Sequence, residues 1–115
     1  MKLPNGEKAT VPPPKVVDYL LSTTHTQGRH KAAFFRSFGF AVDSPETLVA
    51  ALRRHGAGHD VFAVEDTAFG KRYIVEGGMP APDGRAPVVR SVWFLEENES
   101  VPRFVTAFPA KRKQR

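Results

Sequence analysis

Seven residues, His25-Thr26-Gln27-Gly28-Arg29-His30-Lys31, put two imidazoles and two permanent cations into one short stretch. Histidine gives or takes a proton near neutral pH, and lysine and arginine stabilise negative charge as it develops. Two later residues interrupt apolar patterns in the same chemical sense: Arg90 among Val88, Val92 and Phe94, and Thr106 between Phe104 and Phe108. Histidine, lysine, arginine and threonine suit the cleavage of an RNA phosphodiester by its own 2′-hydroxyl. That reaction needs a base for the hydroxyl, an acid for the leaving 5′-oxygen, and donors around a phosphorane-like transition state. The substrate carries its own nucleophile, so no activated serine or cysteine is required.

Lys31 is the most unusual of these residues. Gly28 to Gly39 reads as one amphipathic helix, and positions 31, 34, 35 and 38 follow the spacing of a buried stripe. Three of them are Phe34, Phe35 and Phe38. At about 100° per residue, Lys31 lies within roughly 40–60° of each phenylalanine, with Arg29 and Arg36 on the opposite side. It also falls in the first turn, where a cation opposes the helix dipole. The alternative is that its stem lies along the phenylalanines and its ammonium reaches water. His30 is rotated about 100° from Lys31, and His25 lies in the loop before it. Each has the alternative of a solvated histidine.

The rest of the chain is expected to position them. Pro4-Asn5-Gly6 suggests a small hairpin over residues 3–11. Pro12-Pro13-Pro14 stops it and opens a helix from Lys15 to Ser22. A third helix starts at Ser44-Pro45-Glu46, with a buried stripe of Leu48, Ala51, Leu52 and His55, and ends at Gly56 and Gly58. His55 is expected to favour the dipole at that helix's C-terminus, and His59 to sit in the following loop. After residue 59 the period changes to two. Strands are expected at Val61–Glu65, Lys71–Glu76, Val88–Leu95 and Arg103–Phe108. The fold class is therefore α+β: about three N-terminal helices packed on a four-stranded antiparallel β-meander. Residues 1–110 form one domain, and 111–115 a basic disordered tail.

If the last two strands are neighbours, Arg90 and Thr106 share a face. Ion pairing of Arg90 with a carboxylate such as Glu76 is the competing explanation for that arginine, and strand propensity for Thr106. Arg103 near a strand end reads as a rim charge. Phe108 and Trp93 offer rings for base stacking if exposed, and core material if not.

Composition narrows the classes. The 115 residues contain no cysteine, which excludes disulfides and thiolate zinc sites. His25 and His30 lack an adjacent carboxylate, so no metal and no cofactor is expected. No apolar run approaches the roughly 20 residues of a membrane span, and no signal peptide opens the sequence, so a cytoplasmic protein without a membrane partner is expected. Four of the five net positive charges lie in Lys111-Arg112-Lys113-Gln114-Arg115. Residues 1–39 hold six basic and two acidic groups, and residues 40–70 two basic and five acidic. That asymmetry points to an anionic ligand near the first helices.

The stretch Y-L-L-S-x-x-H-x-x-G-R-H-K-A-A-F-F-x-x-x-G-F at residues 19–40 resembles a motif of a small bacterial family of unknown function. G-K-R-Y-x-V-x-G (70–77), S-V-W (91–93) and P-R-F-V-T-A-F-P (102–109) resemble its remaining blocks. That family is similar in layout to ribonuclease toxin domains of the barnase/EndoU/colicin/RelE-like group. The resemblance implies a metal-independent endoribonuclease of toxin type. Its catalytic candidates are His25, His30, Lys31, Arg90 and Thr106, with Arg29, Arg103 and Phe108 binding substrate. RNA and a cognate antitoxin or immunity protein are the implied partners. A non-enzymatic protein-binding module within such a two-protein system is the other reading. Oligomeric state is left open.

Overall fold

The computed structural model describes residues 1–12, 14, 29–41 and 43–110, with only the backbone of residues 29–31. Among them are two α-helices, α1 (Arg29–Ser37) and α2 (Pro45–Gly58), and four strands: β1 (Val61–Thr67), β2 (Gly70–Gly78), β3 (Val88–Glu96) and β4 (Arg103–Pro109). The strands form one antiparallel sheet in the order β1-β2-β3-β4, so the expected meander is present. Two helices rather than three accompany it; the helix expected at 15–22 and the tail 111–115 lie outside the described residues.

The chemistry of one turn shows how α1 ends. Gly39 has φ 101°, a backbone conformation open to a residue without Cβ. Its N–H donates to the Arg36 carbonyl at 3.0 Å, and the Phe40 N–H donates to the Phe35 carbonyl at 3.2 Å. This paired closure satisfies two orphan carbonyls, and the Phe35 and Phe40 rings that flank it pack edge to face at 6.2 Å. The buried side of α1 is centred on Ala32 and Phe35, both fully buried, with Phe34 and Phe38 partly buried beside them. The expected stripe is thus rotated toward Ala32.

In α2 the stripe is as expected: Leu48, Ala51, Leu52 and His55 are all buried. Gly56 does not end the helix, which runs on to Gly58. A Cβ at Gly56 would stand 2.5 Å from Trp93 Cζ2, so glycine permits the helix to approach the indole. Ser44 precedes the helix without a side-chain capping bond; Pro45 at the first position sets φ instead.

The expected N-terminal hairpin is replaced. Asn5 takes a left-handed conformation and starts a 3-10 turn at Gly6–Lys8. Leu3, Ala9 and Val11 are buried, so this segment gains more by joining the main core than by pairing with itself. The Val61 N–H donates to the Met1 carbonyl at 2.7 Å, and the Phe104 N–H to the Thr10 carbonyl at 2.8 Å.

The core lies between the helices and one sheet face, around Trp93, Phe35, Phe104, Leu48, Leu52 and Met79. Trp93 and Phe104 meet edge to face at 5.4 Å. Strand alternation gives the core Tyr73 and Val75, Val89 and Trp93, and Phe104 and Ala107. Trp93 is fully buried, which removes it as a stacking ring.

Candidate functional site

Residues of the opposite parity form the other sheet face, and Arg90 stands near its centre. Its Cα partners are Glu76 on β2 and Phe108 on β4. Arg90 Nη2 is 3.6 Å from Glu76 Oε1, and each side chain is about a quarter exposed, at 28% and 24%. The Phe62 ring lies 4.3 Å from the guanidinium carbon. A break in the β1–β2 pairing between Val61 and Ala63 leaves Phe62 without a partner on β2, which re-aims its ring over Arg90. Arg90 Nε is buried with no hydrogen-bond partner. An orphaned donor beside a long ion pair marks a cation whose hydrogen-bonding capacity is not used up by the fold.

Thr106 pairs with Val92, one step along the same face. Arg90, Thr106 and Phe108 are therefore brought together. Arg103 is not: it pairs with Phe94, about 13 Å along β3 from Arg90. There it stacks on Phe94 at 5.5 Å and binds Glu96 at 3.1 Å. His25 lies outside the described residues. Arg29, His30 and Lys31 form the first turn of α1. The body of α1 buries Ala32 and Phe35 in the core, on the side of the sheet away from Arg90.

Glu76 is the group that the sequence offered only as an ion-pair partner. On this face it is also a carboxylate base beside a cation. On this face each strand interface carries one such pair, Glu65 with Arg72 at 3.5 Å, Glu76 with Arg90, and Glu96 with Arg103; Asp66 and Lys71, of the opposite parity, form a further pair between β1 and β2. These pairs are electrically balanced, so attraction of a polyanion falls to the basic residues 1–39. The Glu76–Arg90 pair is about half as exposed as the other two on this face.

Behind this pair sits His55, 2% exposed. Its Nε2–H is shared between the carbonyls of Gly77 at 3.0 Å and Val89 at 2.9 Å. Carbonyls only accept, so Nε2 carries the proton. Nδ1 accepts from the Ser91 hydroxyl at 2.8 Å, and Ser91 Oγ accepts from Trp93 Nε1–H at 2.8 Å. Every donor is matched when the ring is neutral. Burial holds the His55 pKa below its ordinary 6.5, and the nearby His59 adds to the effect. The favourable dipole expected from sequence is outweighed.

A stability consequence follows. The unfolded chain takes up a proton near pH 6.5 that the folded one refuses until lower pH. The His55 contribution is complete above that value and falls as pH drops toward the folded pKa, by at most about 1.4 kcal/mol per pH unit. Urea midpoints at neutral and mildly acid pH should fall more steeply for the wild type than for His55→Gln.

Among the described residues no cluster of three or more metal-ligating side chains occurs, and no helix is long and apolar enough to cross a membrane. Among the described residues the exposed large apolar side chains beyond Met1 are Phe62, Val64 and Phe69, all on β1 or its turn.

A family model described as a domain of unknown function (DUF6883) matches residues 2–111. No curated protein matches the sequence. Among solved structures, a chain of the contact-dependent growth inhibition toxin–immunity protein complex from Klebsiella pneumoniae 342 is similar. It is 20% identical with a TM-score of 0.70, over 93% of this chain and 97% of that chain. That likeness is one of fold.

Proposed function

The chain belongs to the DUF6883 family, and from that premise we propose that it is a metal-independent endoribonuclease acting as the toxin half of a toxin–immunity pair. The observation that carries the reading is the half-buried Glu76–Arg90 pair, with Thr106 and Phe108 on the same face. The similarity in fold to a chain of a toxin–immunity complex supports the biological setting.

In this reading Glu76 takes the proton of the 2′-hydroxyl as its oxygen attacks phosphorus. The bond from phosphorus to the 5′-oxygen breaks, and the His25 imidazolium protonates the leaving oxygen. Arg90 holds the phosphoryl oxygens, Thr106 donates a hydrogen bond, and Phe108 stacks a base. Arg103 binds a flanking phosphate, while Arg29 and Lys31, on a helix packed behind the sheet, add to the field that draws the polyanion. The products are a 2′,3′-cyclic phosphate and a 5′-hydroxyl. The partner is a cognate immunity protein, and the site of action is the cytoplasm of the target cell.

A second reading, a non-enzymatic protein-binding module, is favoured by the balanced charge pairs of the open face and by exposed Phe62, Val64 and Phe69.

The experiment is induction of the chain from a tightly repressed promoter, beside a His25→Ala/Lys31→Ala variant of equal folded yield. Growth arrest with RNA fragments ending in 2′,3′-cyclic phosphate, absent from the variant, is the expected result. Normal growth with intact RNA from folded wild-type protein moves the assignment to the binding module.

A further inference from the structure

β2 outruns its neighbour. Pairing with β1 begins at Val61 opposite Val75, so Glu76, Gly77 and Gly78 extend past the described β1 ladder. Two glycines in a row make a pliant strand end. This end of β2 is laddered on one side only, to β3 through Glu76–Arg90, Gly77–Val89 and Gly78–Val88, so a brace from the core side adds to what holds the carboxylate in place.

The C-terminal turn of α2 supplies that brace. The single Nε2–H of His55 bridges the carbonyls of Gly77 and Val89, which are direct Cα partners across β2 and β3. Gly77 follows Glu76 and Val89 precedes Arg90. One helix turn on, His59 Nε2 donates to the Gly78 carbonyl at 2.7 Å. Gly77 admits this arrangement because a Cβ there would collide with the His59 ring. The two rings stand 5.0 Å apart. His59 is the titratable group facing His55; β2 and β3 present the two carbonyls, the Ser91 hydroxyl and the Trp93 indole.

We propose that His55 is the positioning residue of the Glu76–Arg90 pair, tying β2 to β3 from the core side so that the two charged side chains stay registered on the open face. It rests on the reading of that pair as the reacting centre. His55 touches no substrate and exchanges no proton with it. Its neutral form is the competent one, because a proton on Nδ1 reverses the Ser91 bond and leaves that hydroxyl hydrogen without an acceptor.

The test uses the full chain without RNA and reads solvent exchange of the Arg90 Nε–Hε proton by NMR, referenced to β3 amides that exchange only through global unfolding. His55→Gln keeps a donor at the Nε2 position and should match the wild type. His55→Leu removes it and should speed Arg90 exchange by about fivefold to tenfold beyond any global change, the effect of one lost hydrogen bond on local opening. If the leucine variant does not fold, His55→Asn serves, since its amide is too short to reach both carbonyls. It should exchange fast where His55→Gln exchanges slowly. Equal Arg90 exchange in wild type, His55→Gln and the folded leucine or asparagine variant overturns the proposal. In a cleavage assay the acid limb of the wild-type pH profile should become shallower in His55→Gln, since protonation of His55 drops out and only that of the general base remains; a limb of unchanged steepness also overturns it. A wild-type chain that never cleaves RNA defeats the ribonuclease reading alone, because the exchange comparison still decides the clamp.

Discussion

Trp93→Ala is expected to lower stability by about 3–5 kcal/mol, the range for removing a fully buried large aromatic side chain. Whole domains have only about 5–15 kcal/mol, so the variant should sit near the edge of folding. Trp93 is fully buried, meets Phe104 edge to face and receives Gly56 against its six-membered ring. The helix cannot collapse into the space, because α2 is also held to β2 and β3 through His55. Trp93→Phe keeps most of the buried area and loses the N–H that Ser91 Oγ accepts. It should cost roughly 1–2 kcal/mol. Urea unfolding followed by far-ultraviolet circular dichroism checks both. A loss below that of Trp93→Phe in the alanine variant would show that the core repacks freely.

Arg90→Ala should reduce RNA cleavage by about 10²–10³-fold, the usual effect of deleting one preorganised donor to a developing oxyanion. Glu76→Gln should reduce it by about 10²–10⁴-fold, the range for a general base. The two act on one event, so the double variant should be little worse than the worse single one. Both variants should also lose some stability. The pair is about a quarter exposed and 3.6 Å apart, between exposed pairs worth about 0–1 kcal/mol and buried ones whose breaking costs about 3–5 kcal/mol. Single-turnover cleavage of a short RNA, beside thermal unfolding of each variant, separates the two effects. Unchanged cleavage in Arg90→Ala would remove the pair from the reaction.

Much of this architecture is legible because burial imposes a period. Tyr73 and Val75 alternate with Arg72, Ile74 and Glu76, and the structure puts the first set in the core. Leu48, Ala51, Leu52 and His55 are spaced for one helix face and occupy it. Local pattern is blind to what lies across the fold. Pro4-Asn5-Gly6 has hairpin chemistry, but Leu3 and Val11 find a larger apolar surface elsewhere. The irregularity at Phe62, and a second between Val92 and Trp93 in the pairing with β4, leave no mark in composition. His55 was legible as a buried position. Its partners Ser91, Gly77 and Val89 were not, since they lie 22 to 36 residues away. Arg90 stands out in the sequence as a charge in an apolar strand with Glu76 as a candidate ion-pair partner, and the register puts the two opposite each other.

The backbone bonds from Thr10 to Pro102 and Phe104 also set an order in time. A ribosome delivers residue 10 long before residue 104, so the buried Leu3, Ala9 and Val11 must wait for β4 before their cover is complete. Thr106 and Phe108 arrive on that same strand. A nascent chain therefore has neither a sealed core nor a finished open face until β4 emerges, and both are completed by one late event. A polypeptide cut short before β4 is left with exposed apolar surface, the kind of species that cellular proteases remove.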